Sequence, residues 1–436
     1  MSVINRLKSH RGVYDAIRRT PLIYSYLKGR LAALDHASLD ERRAFTQSRF
    51  ETVLRRCATR TAYGRECASL GEWPILEKER LRSHEKYFLS APRWLTCRGH
   101  TSGTTGIPLT VYRSLPSLVI EQIVFDRLVE AHGLSPRVMR TATLRGDFEK
   151  PITDLDPPFG RLREGGRNLV FSSNHLGMSS VKHYVEELRA FQPDVLFAYP
   201  SSLNTLCALM ELHGLSLRIP VAVTSSEVLS HETVALARKV LGCISIDYYG
   251  QAERVSFATA VDGGRYRFVP GYAQIELLFS HRDGDEDFYE VIGTGLWNTA
   301  MPLVRFRTGD LIATEAGVSA GDIESIRYGV GSFRRIVGRK EGAYLESPDG
   351  GRIFAMTKIM YGIDTVYQWQ IIQDAVDQVR LLVIPKAGFS ESEERKILSN
   401  ARFMIPSSVQ VRVHVTDRLE RTKSGKTPFV IKMKAA

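Results

Sequence analysis

The order of apolar and polar positions divides the chain into three textures. The front end reads as helical. Ser38-Leu39-Asp40-Glu41 has the Ser-x-x-Glu form of a capping box, and Phe50, Val53, Leu54 and Cys57 then recur at i, i+3, i+4 and i+7. Val119, Ile120, Ile123, Val124 and Leu128 predict a further amphipathic helix. From about 180 to 250 helices and strands alternate. Val181, Tyr184, Val185 and Leu188 line one helical face before the apolar run Val195 to Ala198. Leu203, Leu206, Cys207 and Met210 mark a second helix before Val221-Ala222-Val223. Ser230 caps a third, which leads into Ile244 to Tyr248. Such alternation predicts parallel strands covered by helices, with ligands gathering beyond the strands' carboxyl ends, where the loops at Tyr199, Ser225 and Tyr249 begin.

Between 272 and 315 the pattern changes to antiparallel hairpins. Gln274 to Leu278 and Phe288 to Ile292 flank an acidic turn at Asp283-Gly284-Asp285. Strands over Val379 to Ile384 and Val409 to Val415, with a helix near Glu391 to Asn400, make the last hundred residues a small unit of their own. The expectation is an α/β protein. A large domain over 1–338 holds mixed, mostly parallel sheets covered by helices and an antiparallel, β-barrel-like part, with a basic helical segment over 1–95. A small, mobile α+β lid domain follows over 339–436.

Composition bears on location and partners. The 436 residues carry 43% hydrophobic and 25% charged side chains, as ordinary globular proteins do. No stretch reaches the roughly 20 apolar residues of a membrane-spanning helix, and the amino terminus lacks the pattern of a signal peptide. Five cysteines without paired spacing indicate neither a disulfide framework nor a zinc cluster, so a reduced, cytoplasmic setting is expected. The net charge is +11. Residues 1–100 hold 20 Lys and Arg against 10 Asp and Glu, so nearly all of the excess lies there. The charges are spread among apolar positions, as on a solvated helical face. The segment otherwise fits an adaptor for an acidic partner or a peripheral membrane surface. No nucleic-acid-binding signature accompanies it, and no nucleic-acid partner is expected.

Thr101-Ser102-Gly103-Thr104-Thr105-Gly106-Ile107-Pro108-Leu109 is rich in backbone donors and hydroxyls. Glycines let a main chain approach an anion closely, which suits a polyphosphate, although no Walker Gly-Lys-Ser/Thr follows. This loop resembles the phosphate-binding signature of the adenylate-forming superfamily of acyl-CoA synthetases, luciferases and peptide-synthetase adenylation domains. Its Pro-Leu ending is similar to the phenylacetate-CoA ligase branch, CapK-type proteins included. Further stretches agree, in the family's order. Trp73-Pro74-Ile75-Leu76-Glu77-Lys78 is similar to that branch's Pro-Ile-x-x-Lys segment, and Thr224 to Leu229 to its adenine-side loop. Tyr249-Gly250-Gln251-Ala252-Glu253 matches Tyr-Gly-x-x-Glu, and Arg305 to Leu311 contains Arg-Thr-Gly-Asp-Leu. Gly338-Arg339 begins the hinge motif, and Thr422 to Lys426 has the form of the terminal Ser-Gly-Lys motif. The resemblance runs from about residue 40 to the end of the sequence.

The resemblance implies activation of a carboxylic acid by ATP as acyl-AMP, with pyrophosphate released. Transfer to coenzyme A follows, or to an amine or hydroxyl acceptor in a biosynthetic pathway. A catalytically degenerate nucleotide-binding protein is the rival class. Glu253 is then placed to hold Mg²⁺, a hard cation that prefers oxygen ligands, and Asp310 to accept hydrogen bonds from the ribose hydroxyls. Thr101 to Gly106, Ser226, Glu227, Tyr248, Tyr249, Gly250 and Gln251 would surround the nucleotide. Tyr249 serves equally as a core side chain. Arg307 and Arg339 fit either phosphate oxygens or an interdomain ion pair. Lys426, with Lys423 as a rival, would reach the substrate carboxylate and the α-phosphate. The acid pocket is expected beneath Tyr199, Ser226 and Tyr248, with Ser201, Thr143 to Phe148, and Phe171 to Met178 around it. Its rings suit an aromatic or other flat acid. His175 in that stretch is a substrate contact or, more commonly for a lone loop histidine, a structural one. Three departures from the family are Ala252 where many relatives have Thr or Ser, a hinge without the common Asp pair, and Phe429 in place of an Arg.

Overall fold

The computed structural model describes residues 11–100, 109–145, 154, 156–163, 165–339, 345, 346, 348, 352, 353, 359, 360, 363, 365–402, 405–421 and 427–433. Helices lead the chain: α1 (Arg11–Arg18), α2 (Pro21–His36), α3 (Leu39–Arg60), α4 (Ala62–Leu70) and α5 (Lys78–Ser83). The capping box of α3 forms as predicted. The Glu41 backbone N–H donates to Ser38 Oγ at 3.3 Å and the Ser38 N–H to Glu41 Oε2 at 2.7 Å. A hairpin of β1 (Cys97–His100) and β2 (Thr110–Arg113) follows, then α6 (Leu115–Glu130).

The basic front end is part of the core. Tyr24, Leu27, Leu31 and Leu34 form a buried stripe on α2 that packs with Ile120, Ile123 and Val124 of α6. Asp126 fixes the pair. It accepts two hydrogen bonds from Arg19, at 2.8 and 2.7 Å, one from the Tyr24 hydroxyl at 2.6 Å, and one from Gln122 at 2.6 Å. Burial, and then the hydrogen bond to Asp126, push the Tyr24 phenol well above its ordinary range. A detachable adaptor cannot include α2, because removing it would strip one face of this core. No helix among the described residues is long and apolar enough to cross a membrane. All five cysteines are buried, and none is in a disulfide.

The centre of the large domain is a mixed sheet. Its strands are β3 (Thr141–Arg145), β4 (Gly160–Arg163), β5 (Asn168–Ser172), β6 (Val195–Ala198), β7 (Val221–Ser225), β8 (Ile244–Gly250), β9 (Phe257–Val261) and β10 (Arg267–Phe268). Among the described residues they lie in the order β10-β9-β8-β7-β6-β3-β5-β4. The run β8-β7-β6-β3-β5 is parallel and the edges antiparallel. Helices α7 (Val181–Phe191), α8 (Pro200–Leu212) and α9 (His231–Leu241) connect these strands as the periodicity predicts. Alternation puts Leu196 and Ala222 against these helices. Val195, Val221 and Val223 turn to the opposite face, with Val129 of α6. The parallel strands therefore end together at Arg145, Ser172, Ala198, Ser225 and Gly250.

A second sheet of long antiparallel strands follows, β11 (Ala273–Asp283), β12 (Glu286–Gly295), β13 (Phe306–Glu315) and, after α10 (Ala320–Arg327), β14 (Arg335–Arg339). The predicted acidic turn closes β11 on β12, with Asp283 opposite Glu286. The small domain opens on a short pair, β15 (Leu345–Glu346) and β16 (Arg352–Ile353), with Leu345 buried in its apolar cluster. It continues with β17 (Val366–Ala375), β18 (Gln378–Pro385), α11 (Glu391–Arg402), β19 (Gln410–Val415) and β20 (Val430–Lys432), in sheet order β19-β18-β17-β20. Its own apolar cluster includes Ile371, Val379, Leu381, Ile397 and Ala401.

Candidate functional site

The Arg-Thr-Gly-Asp sequence folds as an interruption of β13. Arg307 pairs with Ile292 and Leu311 with Glu290, so residues 308 to 310 stand opposite Val291 alone. Gly309 takes φ +74°, which makes the extra turn without a Cβ penalty. Thr308 closes the gap, its hydroxyl donating to Val291 O at 2.7 Å and accepting the Asp310 N–H at 3.0 Å. Asp310 is turned toward the end of β8, where its Oδ2 accepts from the Tyr249 hydroxyl at 2.9 Å and from Gln251 Nε2 at 3.3 Å. Gln251 is oriented in turn by Ser256, whose hydroxyl donates to its Oε1 at 2.8 Å. Burial first, and then the adjacent Asp310 carboxylate, push the Tyr249 phenol well above its ordinary range. Tyr249 is therefore a protonated donor within the core, not a ring free to stack on a base. Tyr248, half-buried, stacks on Phe257 and meets Phe125 edge-on.

The loop after β8 is held on several sides. Arg113, at the end of the β1–β2 hairpin, donates through Nε and Nη2 to Ala252 O at 3.1 and 2.7 Å. Buried Arg254 donates to Ser117 O on α6 at 2.6 Å. Val255 and Arg254 lie flat on β12. A Cβ on Gly293 would come within 2.1 Å of Val255 O, and one on Gly295 within 2.6 Å of Arg254 O. Between these anchors Glu253 is 5% exposed, with Lys78 Nζ 3.6 Å from its Oε1. Lys78 arrives because residues 73 to 78 run along the start of β13: Leu76 N donates to Arg305 O at 2.9 Å, and Arg307 N to Leu76 O at 3.0 Å. The sequence places Lys78 in a motif, but only the fold joins it to Glu253.

Arg307 is engaged within the large domain, with Glu77 at 2.8 Å and with Glu290. It is neither an interdomain ion pair nor free for phosphate. Arg339 is described by its backbone, which lies opposite Asp310 across β13 and β14. Thr101 to Gly106 and Lys426 lie outside the described residues. The hairpin fixes where the Gly/Thr loop leaves and returns, since His100 pairs with Thr110.

At the other side of the crevice, Ser226 adopts φ +73° and is exposed. Glu227 accepts the Ser201 N–H at the start of α8 at 2.9 Å and the Thr427 N–H of the small domain at 3.3 Å. Arg145 ends β3 over the Tyr199 ring, 5.4 Å from its centroid, and donates to Ser225 Oγ at 3.1 Å. Arg145 Nε and Ser201 Oγ are buried without hydrogen-bond partners among the described residues. Buried polar atoms of this kind cost stability until a ligand or water completes them. Thr143 bonds Asn168 at 3.2 Å within the sheet. His175 is buried with its ring 6.1 Å from that of Phe159, and its carbonyl accepts the Ser180 hydroxyl at 2.6 Å. Five non-glycine residues among those described have positive φ, and Ser226, Arg254 and Arg305 of them sit in or beside these segments.

Comparison with known proteins agrees with the resemblance. A model of the CapK C-terminal domain matches residues 345–433. Protein CapK of Staphylococcus aureus is 22% identical over 374 residues, covering 84% of this chain and 80% of that protein. The phenylacetate-coenzyme A ligase of Aromatoleum evansii is 24% identical over 318 residues, covering 65% and 69%. A crystal structure of 2-hydroxyisobutyryl-CoA ligase in the postadenylation state superposes with a TM-score of 0.59 at 13% identity, covering 91% of this chain and 90% of that one. The chain is related to CapK and to phenylacetate-CoA ligases, and it shares the fold of an acyl-CoA ligase.

Proposed function

We propose that this chain is an AMP-forming acid ligase. It activates a small organic acid, aromatic or otherwise flat, with ATP and Mg²⁺, and passes the acyl group to coenzyme A. One observation carries the reading. Four stretches far apart in sequence, at 76–78, 110–113, 249–254 and 305–310, are joined by the contacts Lys78–Glu253, Arg113–Ala252, Gln251–Asp310 and Leu76–Arg305. A family likeness that lay only in sequence would not require these side chains to meet.

In the first step a substrate carboxylate oxygen attacks the α-phosphorus of ATP, the bond to the bridging oxygen breaks, and pyrophosphate leaves. Two anions must approach each other, so positioning and charge neutralisation dominate. Asp310 receives the ribose hydroxyls, and the amides and hydroxyls of Thr101 to Gly106 surround the phosphates. Glu253 suits Mg²⁺. It is one buried carboxylate beside a cation, no cluster of three acidic, His or Cys ligands occurs among the described residues, and Mg²⁺ usually takes one or two carboxylates with phosphate oxygens. Bound there, the ion would supply charge neutralisation for the departing pyrophosphate. Lys426 is assigned, on the resemblance, to the carboxylate and α-phosphate as a point charge. With Arg307 committed to Glu77 and Glu290, Arg339 is the better phosphate partner. Arg145, Tyr199 and Ser201 form the acid-binding wall, and the small domain from 339 onward turns at Gly338-Arg339 between the two steps.

Transfer to an amine or hydroxyl of a biosynthetic acceptor is the second reading. Acid-dependent pyrophosphate release, followed over a panel of aryl, acyl and amino acids with and without coenzyme A, tests both readings. Release lost in Lys426→Ala supports adenylation, and the product mass names the acceptor. Silence across the panel with ATP still bound would move the reading to a degenerate nucleotide-binding protein.

A further inference from the structure

We propose that a cavity between α8 and the small domain is a binding site for an anionic amphiphile, a compound with an extended apolar body and a single carboxylate head, held by Arg421. The cavity measures about 380 Å³, within the range of roughly 300–1,000 Å³ typical of small-molecule sites. Asp310, Glu253, Tyr249, Tyr199, Ser201 and Arg145 are not among its lining residues, so it lies apart from the proposed nucleotide and acid contacts, although Leu176 and Met178 of the stretch expected around the acid pocket line it.

Its walls are apolar and come from both domains. Leu209 and Leu212 of α8 face Ile384 of β18 and Val415 of β19. Leu212 is 40% exposed and Val415 50%, so large apolar side chains remain open to solvent on the two sides of one gap. Covering that surface with a hydrocarbon chain removes it from water, a favourable change of about 25 cal/mol per Å².

The cation decides what kind of chain. Arg421 lines the cavity half-buried and makes no hydrogen bond or ion pair with any described residue. Burial lowers its guanidinium to about 10, with the Tyr184 phenol and Glu227 acting in the opposite direction and Arg418 adding to the lowering. The group stays charged at neutral pH. Glu227 is not bonded to it, and its two carboxylate oxygens already accept the Ser201 and Thr427 N–H groups. A desolvated cation without a paired anion is unfavourable, and a carboxylate can meet a guanidinium through two parallel hydrogen bonds. Exposed Arg418 and Asp417 complete the charged lining, beside the neutral Thr205, Tyr367, Gln368, Thr416 and Thr427. Two arginines against one aspartate leave one positive charge over, which suits a single negative head better than a polyphosphate. Because both domains contribute walls, the ligand would favour the domain arrangement in which the cavity exists.

The test needs neither ATP nor turnover, so its outcome is independent of the acid-ligase reading. Decanoate is titrated calorimetrically, below its micelle concentration, into the full chain and into Arg421→Met, Arg421→Lys and Arg145→Ala. Decanol and benzoate serve as ligands lacking the charge or the chain. We expect saturable one-to-one binding of decanoate, weakened at least about tenfold in Arg421→Met, largely kept in Arg421→Lys and unchanged in Arg145→Ala. Decanol and benzoate should each bind at least about tenfold more weakly than decanoate. Absence of saturable binding, equal affinity for decanol, or equal affinity in Arg421→Met would overturn the proposal. So would loss in Arg145→Ala alone, which would place the acid in the crevice. Should Arg421→Met fail to fold, the decanoate–decanol comparison on the unaltered chain decides.

Discussion

The crevice has one wall that is tied down and one that is merely leaning. On the large-domain side, Asp310, Gln251 and Glu253 stand on strand ends and on a loop anchored by Arg113, by Arg254 and by close contact with β12. On the other side, two hydrogen bonds between described residues cross to the small domain: Thr427 N–H to Glu227 at 3.3 Å, and the Thr205 hydroxyl to Gln368 at 2.9 Å. Beside them lies a cavity, not a packed interface. The groups proposed to hold the nucleotide are built into the large domain. Lys426, proposed to approach and withdraw, belongs by sequence to the small domain. The two proposed roles are thus segregated by domain, not spread over one wall.

Four measurements would break or sharpen this contrast. The largest effect should come from the fixed side. Asp126→Asn leaves Arg19 facing a neutral amide and should cost about 3–5 kcal/mol, read from the urea midpoint. A loss under 1 kcal/mol would mean that α2 is less integral than its packing indicates. Next, Lys426→Ala should slow acid-dependent pyrophosphate release about 10²–10³-fold while ATP still binds. Undiminished turnover would point to Lys423 instead.

Asp247 supplies a pH signature of the fixed side. Burial pushes its carboxyl up to about 6, against hydrogen bonds from Thr224 and Tyr266. The unfolded chain, with a carboxyl near 3.9, releases that proton first as pH rises. The contribution of Asp247 to stability therefore falls between about pH 4 and 6, by about 2–3 kcal/mol, and is flat above. Asp247→Asn should lack that slope, so the stability difference between variant and parent should change between about pH 4 and 6; a difference independent of pH would contradict it. The smallest effect belongs to the leaning wall. Glu227→Gln should raise amide exchange at Thr427 and slow pyrophosphate release about 3–10-fold without altering the KM for ATP. Unchanged exchange at Thr427 would show that the contact does not hold the small domain.

The same division separates what was legible in the sequence from what was not. The alternation over 181–250 was readable because helix and strand periods differ and each run is long enough to declare itself. The Ser38 cap and the hairpin at Asp283 to Asp285 were readable because their chemistry is local. Strand β3, five residues ending in Arg145, carries too short an alternation to register, and so Arg145 was reached only as part of a broad stretch. The stripe of Tyr24, Leu27, Leu31 and Leu34 was obscured by the arginines and lysines around it, and net charge suggested an adaptor where there is core. Lys78 and Glu253 were each visible in their motifs, but 175 positions separate them and nothing local records their meeting. The engagement of Arg307 by Glu77 and Glu290 is of the same kind. Pairings across strands depend on register, which the sequence fixes only through the whole fold.

Gly293 and Gly295 touch no proposed ligand, yet they form the smooth track on which the backbone behind Glu253 rests. Even an alanine at Gly293 would press on Val255 O and shift the backbone behind the Glu253 carboxylate. In a directed-evolution library these two positions would look inviting, being small and remote from the substrate. They are instead where new specificity would most easily be confused with simple loss of activity. A search for altered acids should vary the wall at Tyr199, Ser201 and Arg145 and leave that track bare.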